Sequence, residues 1–220
     1  MPLRPLATFA ASLAALAAGC AAKPEPYDAL RSPNPALRRI TADYTTLVER
    51  IHDRPGEIWH HNWTGNILPN TLGDRFGQKG LCHQWQEEVW LGIQPSLARE
   101  RWAGVGIAAN VGEYTEHHAV IIYNPEIIAR EELLQRSNPQ AGPRSGPPHT
   151  PKPPPRFPTP AWVLDPWHTG TPAVYSLDEW LVRGTAEWFS VELEILPPPP
   201  NPAPVVTPSP AQPAPPRPYP

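Results

Sequence analysis

Cysteine is scarce in these 220 residues: Cys20 and Cys82 are the only two. No Cys-x-x-Cys pair can be drawn from them, and no His-Glu-x-x-His run is present, so two familiar zinc frameworks are missing. His60-His61, His83, His117-His118 and His168, with Cys82, still offer ligand atoms. Neighbouring histidines on a strand point to opposite faces, however, and chelate poorly together. The expectation is no metal and no cofactor. An excess of one charge is also lacking: 18 Lys and Arg against 21 Asp and Glu leave a net of −3. Neither a nucleic-acid surface nor an acidic tail is indicated. Nor is there an apolar run that spans a bilayer comfortably, since the run over residues 6–18 is too short.

That run does read as a secretory signal. Arg4 supplies the basic start, Leu, Ala and Phe fill the apolar stretch, and small residues end it. It closes on Leu16-Ala17-Ala18-Gly19-Cys20, which resembles the bacterial lipobox, with Ala17 where Leu is commoner. Residues 1–19 are then a lipoprotein signal peptide, and 20–34 form a linker anchored to the membrane through lipidated Cys20. The absence of an early Asp after Cys20 resembles an outer-membrane sorting signal, so the chain is expected in the bacterial cell envelope, on the outer membrane facing the periplasm. With Cys20 acylated, Cys82 has no disulfide partner within the chain. A lone thiol in an oxidising compartment is either an inert, buried hydrophobe or a reactive group.

Proline is abundant instead, with 35 residues concentrated in two stretches. It removes a backbone donor and fixes φ, so those stretches join no helix or sheet interior. Residues 137–160 read as an excursion without packed structure, and 197–220 as a disordered, polyproline-like tail. Arg144, Lys152 and Arg156 keep the excursion solvated. About 130 to 150 residues remain, enough for one domain over 35–196 with its own core. Leu37, Ile40, Tyr44, Leu47, Val48 and Ile51 repeat with helical spacing after Asn34-Pro35 and predict a helix to about His52. The stretch 59–79 has no clean period and reads as a covering loop. A second helix is expected from Gly80 or Leu81, with Cys82, Trp85 and Val89 along one side. Strands are expected near Ile107, over 118–123, over 162–165 and over 189–195, with short helices at 127–135 and after Ser176.

The chemistry concentrates in three short motifs. Gly80-Leu81-Cys82 places sulfur at a helix start, where unpaired N–H groups and the dipole favour thiolate. His117-His118-Ala119-Val120 opens a strand, which fixes an imidazole. Val163-Leu164-Asp165-Pro166-Trp167 ends a strand in a carboxylate that can orient that imidazole.

Cysteine at a helix start, histidine at the head of a strand and aspartate in a Leu-Asp-Pro-Trp setting resemble the transglutaminase-like branch of the papain-like cysteine peptidase superfamily. The resemblance covers about residues 59–195. It implies an α+β papain-like, transglutaminase-like domain whose nucleophile helix packs on a small antiparallel sheet. It also selects His118 over His117, because the family histidine stands just before the apolar strand residues. On that strand His118 shares a face with Val120 and Ile122 while His117 points away. Cys82 is then the nucleophile, His118 the base and Asp165 the orienter, acting on an amide of an envelope protein or peptide by hydrolysis or acyl transfer. Gln78 and Asn70 are the candidate oxyanion donors beside the Cys82 N–H, and Trp85 and Trp167 the candidate cleft residues. A catalytically inactive binding or scaffold lipoprotein of the same fold is the alternative. The chain is expected to be a monomer.

Overall fold

The computed structural model describes residues 26–73, 75–112, 116–137, 158–181, 191–194 and 196. The leader with Cys20, residues 138–157 of the excursion and the tail from 197 lie outside the described residues. Among those described, no helix is long and apolar enough to cross a membrane.

Helix α1 (Pro35–His52) begins where the sequence places it. Asn34 Oδ1 accepts the N–H groups of Ala36 at 2.9 Å and Leu37 at 3.2 Å, and Pro35 sits where a missing N–H costs nothing. Its buried face is the predicted one, joined by Thr41. The stretch expected to be an irregular loop folds into small pieces: β1 (Ile58–Trp59), α2 (Asn62–Gly65), α3 (Ile67–Leu72) and β2 (Gln78–Lys79). Strands β1 and β2 pair in parallel. No hydrophobic period announces them because local bonds hold them, such as Asn62 Oδ1 accepting Thr64 N–H at 3.0 Å.

Helix α4 (Cys82–Glu100) is followed by β3 (Ala103–Ala109), β4 (His117–Tyr123), α5 (Arg130–Ser137), β5 (Ala161–Leu164), β6 (Val174–Ser176), α6 (Leu177–Glu179) and β7 (Val191–Glu194). The last five strands form one antiparallel sheet in the order β6-β5-β4-β3-β7. This is a mixed α+β fold with a small antiparallel sheet.

The strand alternation sorts two cores onto the two faces. Val120, Ile122, Leu164 and Val174 pack with the helical side chains Leu37, Tyr44, Trp85, Val89 and Ile93. Ala119, Ile121, Val163 and Tyr175 pack on the other face with Leu133, Leu177 and Trp180. Helix α4 lies close to β3 because Gly106 presents no side chain: a Cβ there would stand 3.0 Å from Gln86 Nε2. That close approach sets Cys82 at the rim where β4 begins.

Candidate functional site

Cys82 is the first residue of α4, and Leu81 holds the N-cap position. Leucine offers no side-chain oxygen to the first N–H groups of the helix, so they and the positive end of the dipole are turned toward the thiol. The turn into the helix is fixed by Gln84, whose Oε1 accepts Gly80 N–H at 2.9 Å and Leu81 N–H at 3.1 Å. Gly80 has a φ of +121°, and a Cβ there would lie 2.2 Å from the His60 carbonyl oxygen. Gly80→Ala is therefore expected to destabilise the fold by about 1–3 kcal/mol, read as a lower urea midpoint at unchanged slope.

The thiol is 8 % exposed and lies 3.7 Å from the Glu116 carbonyl oxygen. Burial pushes its pKa up. The neighbouring imidazoles of His117, His83 and His118 outweigh that and bring it to about 6. The neighbouring imidazole moves the opposite way. Burial pulls His117 down, but the Asp165 carboxylate and the Cys82 sulfur lift it to about 10. A thiolate–imidazolium pair is the state these shifts favour at neutral pH.

His117 Nε2 donates to Asp165 Oδ2 at 2.7 Å, with both side chains fully buried. Trp180 Nε1 donates to the same oxygen at 2.9 Å, and the Trp167 backbone N–H donates to Oδ1 at 3.2 Å. Burial raises the Asp165 pKa, but His117 and His168 outweigh it and hold it at about 2. The ring of His117 is held by Trp167 at 4.6 Å between centroids and by Trp180 at 5.9 Å.

The expected pairing of Asp165 with His118 is corrected here, and the sheet register is the reason. Leu164 stands opposite Val120, so Asp165, one residue on, extends the other face, the face of Ala119 and His117. His117 does not point away from the site, because at the first residue of β4 the rim is reached from either face. His118 keeps the predicted face beside Val120 and meets two carboxylates: its Nε2 bonds Glu116 Oε1 at 2.7 Å, and its Nδ1 bonds Glu194 Oε2 at 3.2 Å. Burial lowers the His118 pKa, but Glu194 and Glu116 raise it to about 9.

Of the expected oxyanion donors, Gln78 is buried in β2, accepting from His60 Nε2 at 2.7 Å and donating to the Phe76 carbonyl at 3.2 Å. Asn70 is exposed on α3. Trp85 does not line a cleft. It is fully buried, its ring is 4.6 Å from Trp59 and 5.4 Å from His52, and its Nε1 donates to the His60 carbonyl at 2.9 Å. Trp167 is buried too, its Nε1 donating to Asn66 Oδ1 at 3.1 Å. It backs His117 rather than facing solvent. Trp63, 44 % exposed and edge-on to Trp167 at 5.3 Å, carries this aromatic stack to the surface. Sequence reasoning singled out neither Trp180 nor Glu194.

His117, Asp165 and His168 each present a ligand atom within 4.8 Å of the others. The His117–Asp165 separation of 2.7 Å is that of a charge-assisted hydrogen bond. Tetrahedral zinc ligands at about 2.0–2.2 Å from the ion stand farther apart than that, so an ion would first have to part these two groups. Comparison with protein-family models, curated proteins and solved structures yields no match for this chain.

Proposed function

We propose that the chain is a thiol-dependent enzyme acting on amide bonds, with Cys82 as nucleophile, His117 as general base and acid, and Asp165 as the group that orients His117. The observation that carries this is the junction of a helix-start thiol with a fully buried His117–Asp165 pair whose imidazole holds the thiol low. Two titratable groups driven in opposite directions at one rim are what nucleophilic acyl chemistry at neutral pH requires. The arrangement is of the papain-like, transglutaminase-like kind, and the further reading is of an envelope lipoprotein held at the membrane through Cys20.

In this reading the Cys82 sulfur attacks the amide carbon and the carbonyl oxygen becomes an oxyanion, with the Cys82 N–H as one donor and Gln78 as the candidate second. With Nε2 committed to Asp165, the Nδ1 proton of His117 passes to the leaving nitrogen. The C–N bond breaks and a thioester remains. Transfer of the acyl group to water breaks the C–S bond, returns the Cys82 thiolate and gives a peptidase or deamidase, and transfer to an amine gives a transglutaminase.

The test is the pH dependence of Cys82 alkylation by iodoacetamide on a soluble chain starting at residue 23. Rapid labelling near pH 6.5, well below the ordinary thiol pKa of about 8.5, is expected. It should fall by tenfold or more in His117→Ala and be unaffected by a chelator. Labelling confined to alkaline pH and indifferent to His117 would sink the catalytic reading and favour an inactive scaffold. Gln78→Ala should leave alkylation as it is and lower turnover of any amide substrate found by about 10²–10³-fold.

A further inference from the structure

One imidazole at this rim is not used by the proposed chemistry. His118 is 8 % exposed, and each ring nitrogen already faces a carboxylate, Glu116 on one side and Glu194 on the other. A ring bonded to carboxylates through both nitrogens carries both protons, because a carboxylate only accepts. It has no nitrogen left with which to take a proton from a thiol. His118 nevertheless stands beside the nucleophile. Its ring meets that of His83, the residue after Cys82, at 6.4 Å between centroids and nearly at right angles. The Cys82 sulfur lies 3.7 Å from the carbonyl of Glu116, whose side chain grips His118.

The grip is built from three elements. Glu194 is on β7 and His118 on β4, with β3 between them. Glu194 sits opposite Gly106, and a Cβ on Gly106 would fall 3.0 Å from the Glu194 Cβ and 3.0 Å from Gln86 Nε2. The bare glycine backbone lets the carboxylate lean across β3. There Gln86, one turn along α4 from Cys82, donates to Glu194 Oε2 at 2.6 Å and to the Ala119 carbonyl at 2.8 Å. Glu116 is fixed independently by accepting the Gly112 backbone N–H. The groups facing His118 are thus Glu116 from the approach to β4, Glu194 from β7, and Cys82 and His83 from α4.

We propose that His118 is a positioning residue, a resident cation locked between Glu116 and Glu194 that stabilises the Cys82 thiolate through space and exchanges no proton with it. This rests on the thiolate reading above and adds to it a division of labour: His117 moves the proton and His118 supplies a constant charge. The Glu194 carboxylate, held low by His118 and Gln86 against the effect of its burial, keeps that charge in place across the neutral range.

The experiment is the iodoacetamide labelling profile of Cys82 from pH 5 to 10 in the wild type, His118→Gln, His118→Arg, Glu194→Gln and His117→Ala. His118→Gln is expected to move the labelling midpoint up by about one pH unit, slowing the reaction several-fold at pH 6.5 without abolishing it. His118→Arg, which keeps a charge that does not titrate, should restore the wild-type midpoint. Glu194→Gln should add a second inflection on the alkaline side as His118 becomes free to lose its proton. A merely structural tie would be weakened by both His118 substitutions alike and would leave the midpoint where it was. A wild-type profile in His118→Gln, with labelling still lost in His117→Ala, would overturn this inference and leave the proposed function standing. A wild-type thiol that labels only at alkaline pH would overturn both.

Discussion

Replacing Asp165 with asparagine is expected to cost about 3–5 kcal/mol of stability and to return Cys82 to alkaline reactivity. The carboxylate is fully buried and receives His117 Nε2, Trp180 Nε1 and the Trp167 backbone N–H. An amide of the same shape offers one oxygen instead of two, and its NH₂ must face either the Trp167 N–H or His117 and Trp180 together, all of which donate. Whichever way it turns, a buried donor meets a donor. Without the negative charge, burial of His117, which favours its neutral form, is opposed only by the Cys82 sulfur. The thiolate then loses its imidazolium. Urea unfolding measures the first effect and iodoacetamide labelling at pH 6.5 the second. A destabilised variant that still labelled rapidly at pH 6.5 would show that the thiolate does not depend on Asp165, and the triad would fail.

The second large effect lies in how stability varies with pH. His117 is raised in the folded chain, so its contribution is fully present below the unfolded imidazole pKa of about 6.5 and is lost as pH rises through about 10. Cys82 is lowered, so its contribution is present above the unfolded thiol pKa of about 8.5 and is lost as pH falls through about 6. Between pH 6.5 and 8.5 the folded pair holds one proton, on His117, and the unfolded pair also holds one, on Cys82. The two pKa shifts cancel, and the pair adds no slope there. Cys82→Ala removes the cancellation and leaves only His117, still raised by Asp165. The variant should therefore lose stability relative to the wild type by about 1.4 kcal/mol per pH unit across that window. His118, raised to about 9, tilts both curves equally and drops out of the difference. Guanidinium titrations at half-unit pH steps would read the effect. Parallel curves would mean that sulfur and imidazole do not form an ion pair.

The elements that carry a strong local pattern were legible in the sequence. Asn34-Pro35 followed by apolar residues at helical spacing marks α1 because a cap and a buried face both write themselves into neighbouring residues. The strand expected over 118–123 is equally plain as a β-branched run stopped by Asn124-Pro125, and the structure begins it one residue earlier, at His117. The choice between adjacent histidines was not legible, because it depends on which face of β5 receives Asp165. That follows from the pairing of Leu164 with Val120, a relation between strands with a long stretch of sequence between them. Glu194 shows the same limit. Alternation with Leu193 gives it the face opposite the apolar residues, and that face reads as solvent until Gly106 and Gln86 are seen beneath it. Trp85 was misjudged for a simpler reason: helical spacing from Cys82 marks a shared side of α4, not exposure at the site.

The order of strands in the sheet has a consequence for the life of the newly made chain. Tyr123 and Ala161 are neighbours across the sheet, so β5 delivers Asp165 only after the whole excursion has been closed into a loop. Until then His117 lacks the carboxylate that raises it most. Under the proposed function, Cys82 would thus be armed by the completion of the fold and not by the synthesis of its helix. Doubling the length of such a loop costs only about 0.6 kcal/mol in closure entropy, so the excursion is free to lengthen without disarming the site.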